Sequence, residues 1–367
     1  MINFLKKISK HPAKKLYIWG AGPLGRSIAD ALTLVGVRID GYFDNAFPDG
    51  REDGEKIHPI SYLEKQDLEN TYFIVGSYRE KEIIAQLREE GFTNIYCQCE
   101  LAMYYHEEFP KISFEKCDEP EVSVLVTAYN GWNMTYNTLK SLSENENQCK
   151  FEVIVGDNCS TDLTKHAEEY LENVKVIHHE KNLRYLGNMN AIAKEARGEY
   201  LFFCSNDILF TQKRYIDILL AEAKKDARIG MITGKLWVPF KRKYDVHSVY
   251  IKLGECEEVE LDRPKNVENM WPIATIIPDR VWKEMGGYDT AFLPVYYEDA
   301  DVEMRMIAAG YELVAYPFAE CIHYGGATDK WDNNDPQLLK NRALFNARWE
   351  HYIEQEKDKR QTYVNAR

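Results

Sequence analysis

The sequence predicts an α/β protein made of two parallel sheets in succession, followed by a C-terminal helix. Three observations carry this. Apolar runs alternate with amphipathic stretches through residues 16–98, and the alternation restarts at residue 122. Such runs read as strands buried on both faces, as in parallel sheets. Between the two series lies a polar, charged stretch, residues 106–121, broken by Pro110 and Pro120 and expected as a linker. At the end, Asp335 can cap a helix and Pro336 suits its first turn; Leu338, Leu339, Arg342, Phe345, Trp349 and Tyr352 then recur at helical spacing. The chain of 367 residues is long enough for more than one domain. The expected division is 1–118, 119–333 and a helical extension over 334–367.

In the first series, LYIW (16–19), RIDGYFD (38–44), TYFIVGS (71–77) and NIYCQ (94–98) are strand candidates, with a helical stretch over residues 79–91. The first strand runs into GAGPLG, with Gly20, Gly22 and Gly25 in a G-x-G-x-x-G pattern before an amphipathic stretch. That context, strand then glycine turn then helix, is the one that gives the pattern meaning as a dinucleotide site. Asp44 follows about 20 residues after Gly22, where a ribose-binding acid belongs. The alternative is that the glycines serve a tight turn and close packing. The segment resembles the Rossmann-like N-terminal module of certain sugar-modifying acyltransferases.

In the second series, residues 122–129, 151–157, 174–180 and 199–207 are strand candidates. Helical patterns intervene at 134–143, 161–172 and 188–197, the last stopped by Gly198. Residues 237–270 lose the rhythm and are expected as an excursion over the sheet. The strands end in Tyr129-Asn130, Asp157-Asn158 and Asn206-Asp207. Ligands of open parallel sheets bind outside the carboxyl ends of the strands, so three polar clusters at three such ends point to one crevice. Each cluster alone would be a turn, since Asn and Asp favour turns.

Composition excludes some classes. Net charge is −13, which argues against bulk nucleic-acid binding. No apolar run approaches the roughly 20 residues needed to span a bilayer, and MINFLKKISK lacks the apolar core of an export signal. Five lysines between Lys6 and Lys15, near Ile2, Phe4, Leu5 and Ile8, form either a solvated tail or a weak membrane-surface tether. Of eight cysteines, Cys97 and Cys99 form the one close pair, a weak zinc signal; Cys204 and Cys321 sit in apolar runs as buried thiols. The expected compartment is reducing and cytoplasmic.

The ordered set VSVLVTAYNGW, FEVIVGDNCSTD, NLRYLGNMNAIAKEARGEYLFFCSND and GGYDTAFLPVYYEDADVEMRMIAAGYELVAYPFAECIHYGG resembles family 2 glycosyltransferases of the GT-A fold, including the rhamnosyl- and galactofuranosyl-transferase-like members. The likeness covers roughly residues 120–350. It implies an inverting enzyme that moves a sugar from a nucleoside-diphosphate sugar to a hydroxyl of a glycan or lipid-linked acceptor, with Mn2+ or Mg2+. It further implies work in cell-surface polysaccharide or glycoconjugate synthesis, at the inner face of the membrane. Position by position, it assigns Thr127, Ala128, Tyr129 and Asn130 to the nucleotide loop, and Asp157 and Asn158 to the base. Asn182, Arg184 and Asn190 fall in the donor-pocket segment. Ser205-Asn206-Asp207 takes the place of the D-x-D metal motif, with Ser205 replacing its first acid, and His323 matches a second metal ligand. Asp299 matches the catalytic base, with Glu298 beside it to orient the acceptor; Asp301 and Glu303 are expected to favour a helix N-terminus. Lys241, Arg242 and Lys243 are either contacts to a phosphate-bearing acceptor or a solvated loop. Two rivals stand beside this reading. One is an NAD(P)-dependent oxidoreductase built on GAGPLG, against which residues 1–118 hold no Tyr-x-x-x-Lys pair. The other is an inactive sugar-nucleotide-binding scaffold, which Ser205 would favour.

Overall fold

The computed structural model describes residues 14–34, 37–52, 56–77, 79–97, 108–238, 243–244, 247–324 and 335–367. Two compact units emerge, a first built from the chain up to Glu108 and a second built mainly from Phe109 onward.

The first unit holds β1 (Lys15–Trp19), α1 (Pro23–Leu34), β2 (Gly41–Phe43), β3 (Thr71–Val75), α2 (Glu80–Glu89) and β4 (Ile95–Cys97). All neighbours are parallel, in the order β2-β1-β3-β4. The apolar run LYIW is fully buried because alternate side chains enter different cores. Leu16 and Ile18 pack with Ile28, Leu32 and Ile74; Tyr17 and Trp19 pack with Phe43, Phe73, Ile83 and Leu87. The expected strand 38–44 is shorter, since the Asp40 carboxylate accepts the Leu16 amide (2.9 Å) before β2 begins. Cys99 and the lysines from Lys6 to Lys10 lie outside the described residues.

The second unit contains β5 (Val122–Ala128), α3 (Trp132–Ser143), β6 (Phe151–Asp157), β7 (Val174–His178), α4 (Arg184–Ala193), β8 (Tyr200–Ser205) and β9 (Ile208–Leu209). There follow α5 (Tyr215–Ala223), β10 (Ile229–Val238), β11 (Ala274–Pro278), α6 (Asp279–Met285), α7 (Glu298–Ala308), β12 (Glu312–His323), α8 (Pro336–Gln355) and α9 (Lys357–Val364). The sheet runs β9-β12-β10-β11-β8-β5-β6-β7. Strands β5 to β8 are mutually parallel, and β11 is antiparallel to both its neighbours. From β5 the chain winds outward to β6 and β7, then returns to place β8 on the other side. The order therefore reverses between β5 and β8, where open α/β sheets bind ligands. Val122, Val124 and Val126 enter the core with α3 and α5, while Leu125 and Ile154 enter the core with α4, α6, α7 and α8.

Four expectations change. Residues 109–121 do not run free as a linker: Phe109 packs edge-on against Trp132 and Tyr136, and Ile112–Ser113 pairs in parallel with Leu171–Glu172. That pairing also breaks up the helix expected over 161–172, which becomes a 3-10 turn, one helical turn (Ala167–Tyr170) and a short strand. The helix expected at 188–197 begins at Arg184 instead, because Asn158 and Asn182 accept the Leu183 and Arg184 amides at its start (2.6 and 2.8 Å). The C-terminal segment is two helices. Asp335 caps the first as expected, accepting the amides of Gln337 and Leu338 (2.7 and 3.4 Å). Among the described residues of 237–270 are a hairpin, Ser248–Lys252 with Glu255–Glu258, and a two-residue strand, Lys265–Asn266, against β12. Among the described residues no helix is long and apolar enough to cross a membrane.

Candidate functional site

The carboxyl ends of β5, β6 and β8 lie side by side in the sheet, in the register Ala128↔Asp157 and Thr127↔Ser205. Ala128 is buried, Thr127 is half-buried and Tyr129 is 45% exposed, so the tyrosine ring stands open where the strand ends. Asn130 has a left-handed backbone (φ 54°), a conformation Asn tolerates better than most residues. Its side-chain oxygen accepts the Thr161 amide (2.8 Å), and its own amide donates to Ser160 Oγ (2.8 Å). Asp157 is buried and doubly engaged: Oδ1 accepts the Ser160 amide (2.9 Å) and Oδ2 lies 2.7 Å from His178 Nδ1. His178 bridges onward to Glu168 (2.7 Å). Burial works against the charged form of His178, but the hydrogen bonds to Asp157 and Glu168 outweigh it and raise its pKa above the usual imidazole value.

Asn158 donates from Nδ2 to Asn182 Oδ1 (2.9 Å), which ties the β6 loop to the start of α4. Asn190 clamps a turn 98 residues away, donating to the Tyr288 carbonyl (2.8 Å) and accepting the Tyr288 amide (2.9 Å). The asparagines expected to touch a donor thus spend these hydrogen bonds on the loops around the crevice. Arg184, at φ 62°, is exposed beside it.

At the end of β8, Asn206 donates to Thr135 Oγ1 on α3 (3.1 Å). Asp207 follows, and Ile208 pairs directly with His323 at the end of β12. Asp207 Oδ2 therefore lies 3.5 Å from His323 Nε2, with the two residues only 8% and 6% exposed. A carboxylate and an imidazole this close fit two positions on one Mg2+ or Mn2+ ion, whose other positions suit water and phosphate oxygens. Among the described residues no group of three or more His, Cys, Asp or Glu side chains could hold a metal ion. These two alone would need a ligand's phosphates to complete a shell.

The acidic cluster separates by environment. Tyr296 and Tyr297 are both left-handed (φ 84° and 70°), and α7 begins immediately after them. Asp299 accepts the Ala300 amide (2.8 Å) and is partly open, while Glu298 is buried. The partial positive charge of a helix start favours an ionised carboxylate. Here burial of the Asp299 carboxyl dominates and pushes its pKa above the ordinary range, despite the amide contact. Asp301 is fully buried, as a structural acid should be, between Arg305 (2.8 Å), Arg348 (3.0 Å) and the Trp349 indole (3.1 Å). Glu303 is also fully buried; it accepts the Met270 amide (3.2 Å), and burial together with the nearby Asp299 charge drives its pKa well up.

Two residues that sequence reasoning passed over join these pieces. Tyr185, one residue into α4, points its hydroxyl at the Pro272 carbonyl (3.4 Å) and packs 5.8 Å from the Tyr288 ring. Burial raises its pKa far above the phenolic norm, and the Glu298 and Asp299 charges raise it further. Tyr288 is buried next to the same two carboxylates. The donor segment and the carboxylates thus share one neighbourhood. Lys241 and Arg242 fall outside the described residues.

In the first unit, Gly20 (φ 116°) could carry no Cβ, which would lie 2.4 Å from the Gly76 carbonyl; a Cβ on Gly25 would strike the Gly20 carbonyl. Gly22 faces open space. Asp44, expected on a ribose, accepts the backbone amides of Ala21 and Ala46 (2.8 and 2.9 Å). Gly20, Gly25 and Asp44 are therefore accounted for by the packing of their own turn.

Residues 123–272 match the sequence family described as Glycosyl transferase family 2. The match takes in Asp157 and Asp207 but stops short of Glu298, Asp299 and His323. An uncharacterized protein of Sinorhizobium fredii, y4gI, is 23% identical over 228 residues, 57% of this chain and 25% of that protein. An uncharacterized glycosyltransferase of Bacillus subtilis, YfnE, is 35% identical over 143 residues, 38% of this chain and 34% of that one. The chain thus spans between a quarter and about a third of the length of these curated relatives. A crystal structure of GalNAc-T7 with UDP, GalNAc and Mn2+ is similar in fold to part of this chain, at a TM-score of 0.53 and 17% identity. That likeness covers 67% of this chain and 50% of the other.

Proposed function

We propose, from the premise that residues 123–272 form a family 2 glycosyltransferase domain, that this chain transfers a sugar with inversion from a nucleoside-diphosphate donor to a hydroxyl acceptor. The acceptor class is a glycan or a lipid-linked glycan. The observation that carries this reading is the Asp207–His323 contact of 3.5 Å, which sets a carboxylate and an imidazole together just past the carboxyl end of β8, the strand beside which the sheet order reverses. Tyr185, in the donor segment, and Asp299, at the start of α7, support it, each lying near the other.

In the reaction, the acceptor oxygen bonds to the anomeric carbon as the bond from that carbon to the diphosphate oxygen breaks. The electron pair leaves with the nucleoside diphosphate, and the acceptor proton passes to the Asp299 carboxylate. A base with a raised pKa holds a proton more firmly, which favours that transfer near neutral pH. Asp207 and His323 would hold a divalent ion together with the diphosphate. A bound Mg2+ or Mn2+ would supply charge neutralisation for the leaving group. Tyr129 offers a ring face to the nucleotide base. Glu298 orients the acceptor. An inactive scaffold is the second reading, resting on Ser205 in place of an acid.

The test is nucleoside-diphosphate release from a panel of UDP-, GDP- and dTDP-sugars with Mn2+, for the wild type and for Asp299→Asn. Loss on the order of 10²–10⁴-fold is expected, with donor affinity kept. The wild-type rate should rise with pH through the raised pKa of Asp299, because its proton must leave before it can accept another. No turnover by the wild type would favour the scaffold, and full turnover by Asp299→Asn would remove the base.

A further inference from the structure

We propose that Asn341, on the C-terminal helix α8, is a positioning residue for the Glu298-Asp299 pair. The proposal rests on the reading of Asp299 as the base. Asn341 is completely buried. Its Nδ2 lies within hydrogen-bonding distance of three backbone carbonyls: Phe292 (2.6 Å), Val295 (2.9 Å) and Tyr296 (3.0 Å). An amide nitrogen carries two hydrogens, so the three oxygens share them, and all three can be gathered only if the 292–296 turn closes around that nitrogen. The orientation of the carboxamide is fixed from the other side, since Gln337 Nε2 donates to Asn341 Oδ1 (2.8 Å).

What this closed turn holds is the entry to α7. Tyr296 and Tyr297 are consecutive residues with side chains in the left-handed region, a combination that L-residues resist. The Tyr297 carbonyl then accepts the Asp301 amide (2.9 Å) in the first turn of α7. The direction in which Glu298 and Asp299 leave the backbone therefore depends on a strained dipeptide. One donor, 45 residues downstream of Tyr296, holds the carbonyl of its first residue. Neighbouring groups on α8 reinforce the hold: Arg342 Nε donates to the Tyr297 hydroxyl (3.1 Å), and Phe345 packs 5.2 Å from the Tyr297 ring. Aspartate at 341 would keep the shape but replace the donor by an oxygen facing three carbonyl oxygens. The turn would open, and the carboxylates would lose their aim without touching Asp207, His323 or the strand-end loops.

The experiment compares wild type, Asp299→Asn, Asn341→Asp, Asn341→Ser and the double variant Asn341→Ser with Tyr296→Gly. It uses the full chain and the nucleotide sugar that the wild type turns over. Asn341→Asp should slow nucleoside-diphosphate release by about 10- to 100-fold, the usual effect of small misplacement. UDP affinity in Mn2+ should stay within about two-fold of wild type. The acid limb of the rate should move to lower pH as water reaches Asp299, and amide exchange should accelerate within 292–301. Glycine at 296 takes left-handed angles without strain, so the double variant should recover part of the loss. Asn341→Ser, which removes the amide but adds no charge, carries the same test if the aspartate variant does not fold. Wild-type rate and wild-type exchange at 292–301 in either folded variant would overturn the proposal, as would equal losses of rate and UDP affinity. Full turnover by Asp299→Asn would instead overturn the reading of the base beneath it.

Discussion

Replacing Glu303 by Gln should make the stability of the second unit less sensitive to pH. Glu303 is fully buried, accepts one backbone amide, and has its pKa driven well above the carboxylate range, so the folded protein holds a proton there that the unfolded chain releases. Below the unfolded pKa of about 4.3 both states are protonated and this group adds no pH dependence. Above it the native state binds more protons, so wild-type stability falls with rising pH until the folded pKa is reached. The slope is at most about 1.4 kcal/mol per pH unit for one proton, over the span between the unfolded and the folded pKa. For a unit of this size, that is at most roughly 3–6 °C in melting temperature per pH unit. Gln cannot release a proton, so the variant lacks this slope. Its extra amide hydrogens add a pH-independent cost of about 1–3 kcal/mol. The wild type should therefore be ahead near pH 4.5 and lose ground to the variant with each unit of pH. Thermal unfolding of both proteins in matched buffers from pH 4.5 to 8 reads the difference. A gap that stays constant from pH 5 to 7, or widens in favour of the wild type, would refute a neutral buried Glu303.

Calorimetry with Mn2+ and the nucleoside diphosphate of whichever panel sugar the wild type turns over should show Asp207→Asn and His323→Ala each weakening metal-dependent binding by about ten-fold or more, that is 1.4 kcal/mol or more; unchanged affinity in both would remove the metal assignment. Arg360 and Glu268 form a buried ion pair (2.7 Å) between α9 and the segment leading to Met270. Glu268→Ala or Arg360→Ala should cost about 3–5 kcal/mol in urea unfolding, while the double change Glu268→Leu with Arg360→Met should cost less. A single change costing under about 1 kcal/mol would show the pair to be dispensable. Asp44→Ala should weaken the first unit by about 1–3 kcal/mol through two orphaned amides and leave nucleoside-diphosphate release unchanged; lost turnover would assign the glycine turn a part in the reaction.

The strands and the crevice at their ends were legible because a strand buried on both faces must be apolar throughout, and LYIW, VSVLV and YLFFC carry that pattern alone. The start of α8 was legible from Asp335 and Pro336, but the start of α4 was not. At the start of α4 the Leu183 amide donates to Asn158, which lies on the loop after β6, 25 positions away, and neither spacing nor propensity records that meeting. The same cause hides the partners of the asparagines. Asn130, Asn158 and Asn190 stand where a donor was expected, yet the residues they hold lie between 24 and 98 positions away. Tyr185 and Asn341 were missed for the converse reason. Each occupies a place in a helix where spacing alone sees only a helical residue, and its polar partners lie 87 and 45 to 49 positions away.

The segment Glu298–Glu303 shows how partners sort residues that a sequence cannot. Four acids lie within six positions, and helix-end preference would welcome any of them. Asp301 faces two guanidinium groups and an indole N–H, so it is engaged in holding α7 to α8. Glu303, one turn beyond Asp299 on the same face, holds its proton in the core and serves no incoming hydroxyl. Glu298 is buried at the very start of the helix. Asp299 alone of the four is partly open, and burial of its carboxyl raises its pKa above the ordinary carboxylate value, which makes it the stronger proton acceptor. A general base needs both reach and basicity. On the reading proposed for this site, the fold supplies the first by setting Asp299 after a strained tyrosine pair, and raises the second by drying the carboxyl's surroundings.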